Sequence, residues 1–350
     1  MDDVRSVCFK DLPWEKLDGR QVVITGATGQ IGSFLVDVLV NKIICDDLDT
    51  DIVILGRDGN KVRDRFYHWW PLGKIQFLTY VIGLPFQFAD KIKKGAYFIH
   101  LASNTHPKQY RFHPISTVWT NLSGLKEILD LAVLLQGERV FYASSCEVYG
   151  NILNAMDAPF KEDYCGYIDC NTVRAGYPES KRCGEALCQA YLSETGLDFV
   201  TGRFGRIFGP TMNTDDSRAI GQFIWNGVRR QDIVLKSSGM QRYSFLHVAD
   251  AVSALLTILL YGQKGDAYNI AFPTCDRSLM WMAMHIAKLS GVEVIKHEPT
   301  PEEAAAYSTA TVATLDSDKL QYLQWSAAHD VLDDALADTI DVLRRREAFP

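Results

Sequence analysis

Three glycines at fixed spacing join a β-branched run to an amphipathic stretch. Gln21-Val-Val-Ile-Thr25 leads into Gly26-Ala-Thr-Gly29-Gln-Ile-Gly32, and Ser33-Phe-Leu-Val-Asp-Val-Leu-Val40 follows. The first run, short and ending at glycine, predicts a buried strand; the last has the period of a helix with one buried face. Strand, tight turn and helix in immediate succession commit the chain to a right-handed crossover onto a parallel neighbour. Each glycine answers a separate need: a tight turn, close approach of backbone to a pyrophosphate, and close packing of helix on strand. The helix N-terminus then turns its N–H groups and positive dipole end toward the same point, which fits a dinucleotide.

The alternation continues. Asp51-Ile-Val-Ile-Leu55, Tyr97-Phe-Ile-His-Leu-Ala102, Arg139-Val-Phe-Tyr-Ala-Ser144 and Phe199-Val-Thr-Gly-Arg203 read as strands, with helical stretches such as Gly124 to Gln136 between them. This predicts an α/β fold: a Rossmann-type doubly wound parallel sheet with a smaller mixed α/β substrate-binding lobe. Gly209-Pro210 closes the alternation, and the region from Thr211 to about Gln241 is expected to leave the sheet. His247 to Tyr261 is expected to return as a helix and Ala267 to Ala271 as a strand, with 275–350 mostly helical. The expected division is 1–205 plus about 243–272 for the dinucleotide-binding domain, and 206–242 with 273–350 for the lobe. Residues 1–20 read as a leader beside the first strand, Leu12, Trp14 and Leu17 covering its edge.

With 350 residues, 47% hydrophobic and 23% charged, the chain has ample core material, and its net charge of −7 disfavours binding to nucleic acid or anionic membranes. No stretch has the length of a signal or membrane segment, so a cytoplasmic protein is expected. Eight cysteines are too few for a disulfide scaffold of this size. Cys165-x4-Cys170 and Cys183-x4-Cys188 lack the usual zinc spacing, and positions five apart on a helix diverge, so no metal is expected.

Tyr177-Pro-Glu-Ser-Lys181 adds chemistry. Residues four apart share a helix face, so phenol and ammonium can point into one site, where positive charge favours phenolate. Ser145 precedes Tyr177 by 32 residues and ends a predicted strand. For the cofactor's ribose, Asp58 suits the 2′-hydroxyl of NAD and Arg57 the 2′-phosphate of NADP; the pair leans slightly to NADP, with NAD the alternative.

These segments, together with Ile99-His-Leu-Ala102, Thr120-Asn121, Ala143 to Gly150 and Arg203 to Pro210, resemble the extended short-chain dehydrogenase/reductases, in their nucleotide-sugar epimerase, dehydratase and decarboxylase branch. Glu147-Val-Tyr-Gly150, Tyr177-x-x-x-Lys-Arg-x-x-Glu185, Phe208-Gly-Pro-x-Met212 and Asp216-x-Arg218 are most similar to UDP-glucuronate decarboxylases. The resemblance implies a catalytic set of Ser145, Glu147, Tyr177 and Lys181. It implies a tightly bound NAD or NADP on Gly26, Thr28, Gly29, Gln30, Ile31, Gly32, Arg57, Asp58, Leu101, Ala102, Ser103, Asn121, Tyr177 and Lys181. It implies a nucleotide sugar near Thr105, Cys146, Arg206, Arg218 and Arg242, and a homodimer built on helices Ser123 to Leu135 and Tyr177 to Ser193.

Departures from the pattern are visible. Cys146 stands where 4,6-dehydratases have the aspartate of an acid-base pair, and a thiol is a poor acid for expelling hydroxyl. Arg206 replaces the usual asparagine; Tyr243 replaces a phosphate-gripping arginine, with Arg242 one place off. The chemistry implied is transient oxidation at C4 of the sugar, after which a C5 carboxylate is lost, a C5 proton is moved by Glu147, or C4 is inverted. A reductase of free ketones or alcohols would use the same Ser145, Tyr177 and Lys181. More ordinary roles exist for Ser145 (strand-end turn), Glu147 (surface carboxylate), Cys146 (small packer), and His100 and His106 (structural).

Overall fold

A computed structural model of the chain describes residues 2–105, 112–151, 159–300 and 312–348; His106 lies outside them. Seven parallel strands form the main sheet in the order β10-β6-β5-β4-β1-β2-β3. They are β1 (Gln21–Thr25), β2 (Asp51–Gly56), β3 (Ile75–Thr79), β4 (Tyr97–His100), β5 (Arg139–Ser145), β6 (Phe199–Phe204) and β10 (Ala267–Ile270). Strands β1, β2 and β4 are buried runs of Val, Ile, Leu and aromatics, as a parallel sheet covered on both faces requires. One face carries α1 (Asp2–Cys8), α2 (Gln30–Cys45) and, later in the chain, α7 (Val248–Tyr261). The other carries α4 (Pro114–Leu134) and α5 (Gly176–Thr195), whereas α3 (Gly59–Arg65), after β2, packs through Val62 into the core of the first face. The order reverses between β1 and β4, which opens a crevice at their C-terminal ends.

The smaller lobe has a sheet centred on β9 (Arg242–His247), which pairs with β7 (Arg206–Phe208), β11 (Asp276–Ser278) and β13 (Val312–Ala313), and a second pairing of β8 (Ile233–Leu235) with β12 (Val294–Lys296). Around them α6 (Ala219–Val228), α8 (Leu279–Ser290) and α9 (Leu332–Ala348) enclose a separate core containing Phe208, Phe223, Trp225 and Phe245. Residues 243–247, expected with the larger domain, are therefore hydrogen-bonded into the small sheet. Between β6 and β7 stands only Gly205, whose N–H donates to Ile270 O (3.2 Å) and whose absent Cβ would lie 2.6 Å from Ser244 O.

Two expectations are corrected, and one strand had not been read. The helix expected from Gly124 begins at Pro114, where proline's missing N–H costs nothing in the first turn. Strand β3 went unread because its mixed sequence shows no clean alternation. The leader cannot cover an edge of β1, since β2 and β4 flank that strand on both sides. It lies on helices instead: Lys42 Nζ sits 5.1 Å from the Trp14 ring and donates to Cys8 O, and Lys16 Nζ donates to Leu260 O.

At the leader's start Asp3 faces His247 and His329, with ligand-type atoms within 4.8 Å of one another. His247 Nδ1 accepts from Ala249 N–H (3.4 Å), which leaves its ring proton on Nε2. His329 lies between Asp250 (3.1 Å) and Asp3 (3.4 Å); although burial opposes its charge, the two carboxylates raise it to about 9. The arrangement is a charged clasp between leader and C-terminal segment.

Candidate active site

The crevice widens into a cavity of about 660 Å³. Gly26, Thr28, Gly29, Gln30, Ile31 and Gly32 line one end; Arg57, Asp58, Leu101, Ala102, Ser103 and Thr105 line its flank; Ser145, Glu147, Tyr177, Lys181, Arg206 and Arg218 line the rest. Asn121, Cys146 and Arg242 are not among the lining residues.

Geometry explains the glycines. Gly26 has φ +73°, and a Cβ there would come within 2.8 Å of Ala102 N, where β4 exits beside the turn. At Gly32 a Cβ would lie 2.3 Å from Gly26 O, so the helix packs on its own turn. Gly29 caps α2, and Gln30, beside it, has a buried Nε2 with no hydrogen-bond partner among the described residues while its Oε1 accepts from Arg218 (2.7 Å). A narrow backbone turn at a helix N-terminus with an amide donor to spare fits a dinucleotide's phosphates. Arg57 is exposed at the cavity rim, and Asp58 commits Oδ1 to the N–H of Lys61 as the cap of α3 (3.0 Å).

Ser145 ends β5, Tyr177 lies in the first turn of α5, and Lys181 follows one turn on. Lys181 Nζ donates to Ala143 O (2.7 Å) and lies 5.9 Å from the centre of the Tyr177 ring; burial pulls it down to about 7. Tyr177 is pushed up to about 12, by burial first and the Glu147 charge second, against a hydrogen bond from Ser145. Burial thus dominates the acidity of the Tyr177 hydroxyl in this site. Asn121 Nδ2 donates to Ser180 Oγ (2.8 Å) and its Oδ1 accepts from Ser103 Oγ (2.7 Å), tying α4 to α5 beside Lys181. Beneath, Glu185 accepts from Ser144 and pairs with Arg203 (2.6 Å), which reaches the Tyr149 hydroxyl (2.9 Å).

Glu147 is buried between two guanidiniums: Oε2 pairs closely with Arg174 and Oε1 with Arg206 (3.1 Å). Burial pushes its pKa up, but the two arginines outweigh it, and the carboxyl lies below its ordinary value. Arg206 also stacks over Tyr243 at 4.8 Å. Cys146 is buried in the small-lobe core with its thiol pushed up by burial. Arg218 is held by Asp216, and Arg242 is exposed at the start of β9. Sequence reading missed Arg174; its position three residues before Tyr177 was the available signal.

Sheet order, glycine turn and the Ser145–Tyr177–Lys181 grouping define a Rossmann-type protein of the extended short-chain dehydrogenase/reductase class. The chain belongs to the NAD dependent epimerase/dehydratase family, whose model matches residues 22–271. It is 30% identical over 275 residues to UDP-glucuronic acid decarboxylase 1 of Xenopus tropicalis, covering 78% of this chain and 61% of that protein. Among solved structures it is similar to a dTDP-glucose 4,6-dehydratase of Streptomyces venezuelae with NAD bound (TM-score 0.79, 21% identity, 94% of this chain and 98% of that one). It is also similar to a UDP-glucuronic acid 4-epimerase of Bacillus cereus in complex with UDP-glucuronic acid and NAD (TM-score 0.76, 18% identity, 93% and 99%). Among the described residues no helix is long and apolar enough to cross a membrane.

Proposed function

We propose that this chain modifies a nucleotide sugar through transient oxidation at C4, and that its reaction is removal of a C5 carboxylate, as in a UDP-glucuronic acid decarboxylase. The observation that carries the reading is one cavity with the glycine turn at one end and Ser145, Tyr177 and Lys181 further along. When bound, NAD or NADP supplies reversible hydride acceptance. Tyr177 takes the C4 hydroxyl proton, Ser145 holds that oxygen, and Lys181, when protonated, stabilises the phenolate. Beside a C4 ketone the C5–C6 bond can break as CO2 leaves, its electron pair passing into an enolate that is then protonated at C5 from water; C4 then takes back the hydride and Tyr177 returns its proton to the C4 oxygen.

The relatives named UDP-glucuronic acid decarboxylase support this branch. Cys146, buried and held as a thiol, disfavours dehydration. Incubation of the protein and NAD with UDP-glucuronic acid, UDP-glucose and dTDP-glucose, read by mass, decides the reaction. Loss of CO2 from UDP-glucuronic acid is expected; loss of water from dTDP-glucose, or no conversion of any of them, would overturn the assignment.

A further inference from the structure

Glu185 lies one helical turn beyond Lys181 and two beyond Tyr177, on the sheet-facing side of α5, and the chemistry above gives it no task. Its carboxylate ties two strands to the helix. Oε1 accepts from the Ser144 hydroxyl of β5 and from Arg203 Nε of β6 (3.0 Å), and Oε2 accepts from Arg203 Nη2 (2.6 Å). Ser144 and Arg203 are register partners in the parallel sheet, so these bonds converge one rung before β5 ends at Ser145. Arg203 Nη1 continues to the Tyr149 hydroxyl (2.9 Å), which donates to Asn269 Oδ1 (2.6 Å). Water is largely excluded, with side-chain exposures of 17% for Glu185 and 12% for Arg203. Desolvation cancels most of the attraction in such a pair, so stability alone is a weak reason for placing one here.

The position is informative. On one side of Ser144 stands Ser145, assigned above to the C4 oxygen; on the other stands Ala143, whose carbonyl accepts from Lys181 Nζ (2.7 Å). A shift of Ser144 therefore moves both. The titratable groups around Lys181 are His100 on β4, Tyr142 on β5, and Tyr177, Glu185 and Cys188 on α5. Burial lowers His100 to about 3 and pushes Tyr142, Tyr177 and Cys188 up, which leaves all four uncharged near neutral pH. Glu185, ion-paired with Arg203, is the anion of this group, and it opposes the burial that draws Lys181 down.

We propose that Glu185 is a positioning residue for the C4 chemistry: through Ser144 and Arg203 it sets Ser145 and the Ala143 carbonyl against Tyr177 and Lys181, and it holds a negative charge beside the Lys181 ammonium. Glu185 is not among the residues that line the cavity, so it acts through these neighbours. Its effect on turnover rests on the nucleotide-sugar reading above; its effect on Lys181 does not.

One arm of the test needs no substrate. The NMR signal of isotope-labelled Lys181 Cε, assigned by its absence in Lys181→Met, is titrated with pH in the parent, Glu185→Gln and Glu185→Asp. The parent midpoint is expected near 7. Glu185→Gln removes the anion and leaves Arg203 without this counter-ion, so the midpoint should fall by about half a unit or more. Glu185→Asp keeps the charge and should restore part of that shift. An unchanged midpoint in Glu185→Gln would overturn the proposal, whatever happens to the melting temperature.

The second arm follows conversion of UDP-glucuronic acid with NAD present. In Glu185→Gln kcat should drop by about ten-fold or more while KM stays within about three-fold, because the groups that bind the substrate are untouched. Undiminished kcat would overturn the proposal. A parent that leaves UDP-glucuronic acid unconverted defeats the decarboxylase reading instead, and the Lys181 titration then decides the role of Glu185. Ser144→Ala keeps the Glu185–Arg203 pair and serves if Glu185→Gln does not fold. Slackening the Ala143 carbonyl should lower the Lys181 midpoint in that variant too, and an unchanged midpoint there would equally overturn the proposal.

Discussion

At the residue scale, Tyr177 and Lys181 depart from their ordinary acidities in opposite senses, the phenol up and the ammonium down, because both are buried. Tyr177→Phe removes the proton acceptor and keeps the packing. Turnover should fall by at least about 100-fold while dinucleotide affinity stays within a few-fold; retention of more than about a tenth of the rate would mean another base. At the rim, Arg57→Ala should weaken NADP by about 1–2 kcal/mol and leave NAD nearly untouched, since a charged contact to a 2′-phosphate has no counterpart in NAD. Titration of both cofactors checks this, and equal losses would remove the preference for NADP.

At the element scale, Gly32→Ala should abolish dinucleotide binding and lower the melting temperature, because a Cβ at 2.3 Å from Gly26 O forces α2 off its turn. Unchanged melting and binding would show that the turn can relax. The His329 clasp predicts a pH dependence. Its folded pKa, about 9, lies above the ordinary 6.5, so its stabilisation is complete below about 6.5 and disappears as pH rises through about 9. The melting-temperature gap between the parent and His329→Gln should therefore shrink between pH 6 and pH 10, and a constant gap would refute the charged clasp. What could be read from sequence divides along the same lines. The β1–α2 turn and the Tyr177 to Lys181 pair were legible because local spacing fixes their geometry. The clasp was not, because Asp3, His247 and His329 meet only after the fold closes, and neither was Arg174 on Glu147, since an ion pair between two single-turn 3-10 helices far apart in sequence leaves no periodic trace.

At the scale of the whole molecule, α4 keeps apolar surface outside: Ile115, Trp119 and Leu134 are 84%, 65% and 62% exposed. Trp119, Ser123, Lys126, Asp130 and Val133 recur at helical spacing on one stripe, which suits a partner helix. A homodimer is expected by light scattering at micromolar concentration, and Trp119→Glu should shift it toward monomer; a monomeric parent would refute the interface. Last is the passage from β6 to β7 through Gly205 alone. A hinge needs residues free to change their dihedrals, yet here both neighbours belong to ladders, one in each sheet, and Gly205 is itself bonded to Ile270. The two lobes are therefore spliced at this point: opening them like a clamshell would tear one ladder or the other. Amide exchange at Gly205 and Ile207 should then proceed only with global unfolding, and substrate should enter past moving loops instead of through parting domains.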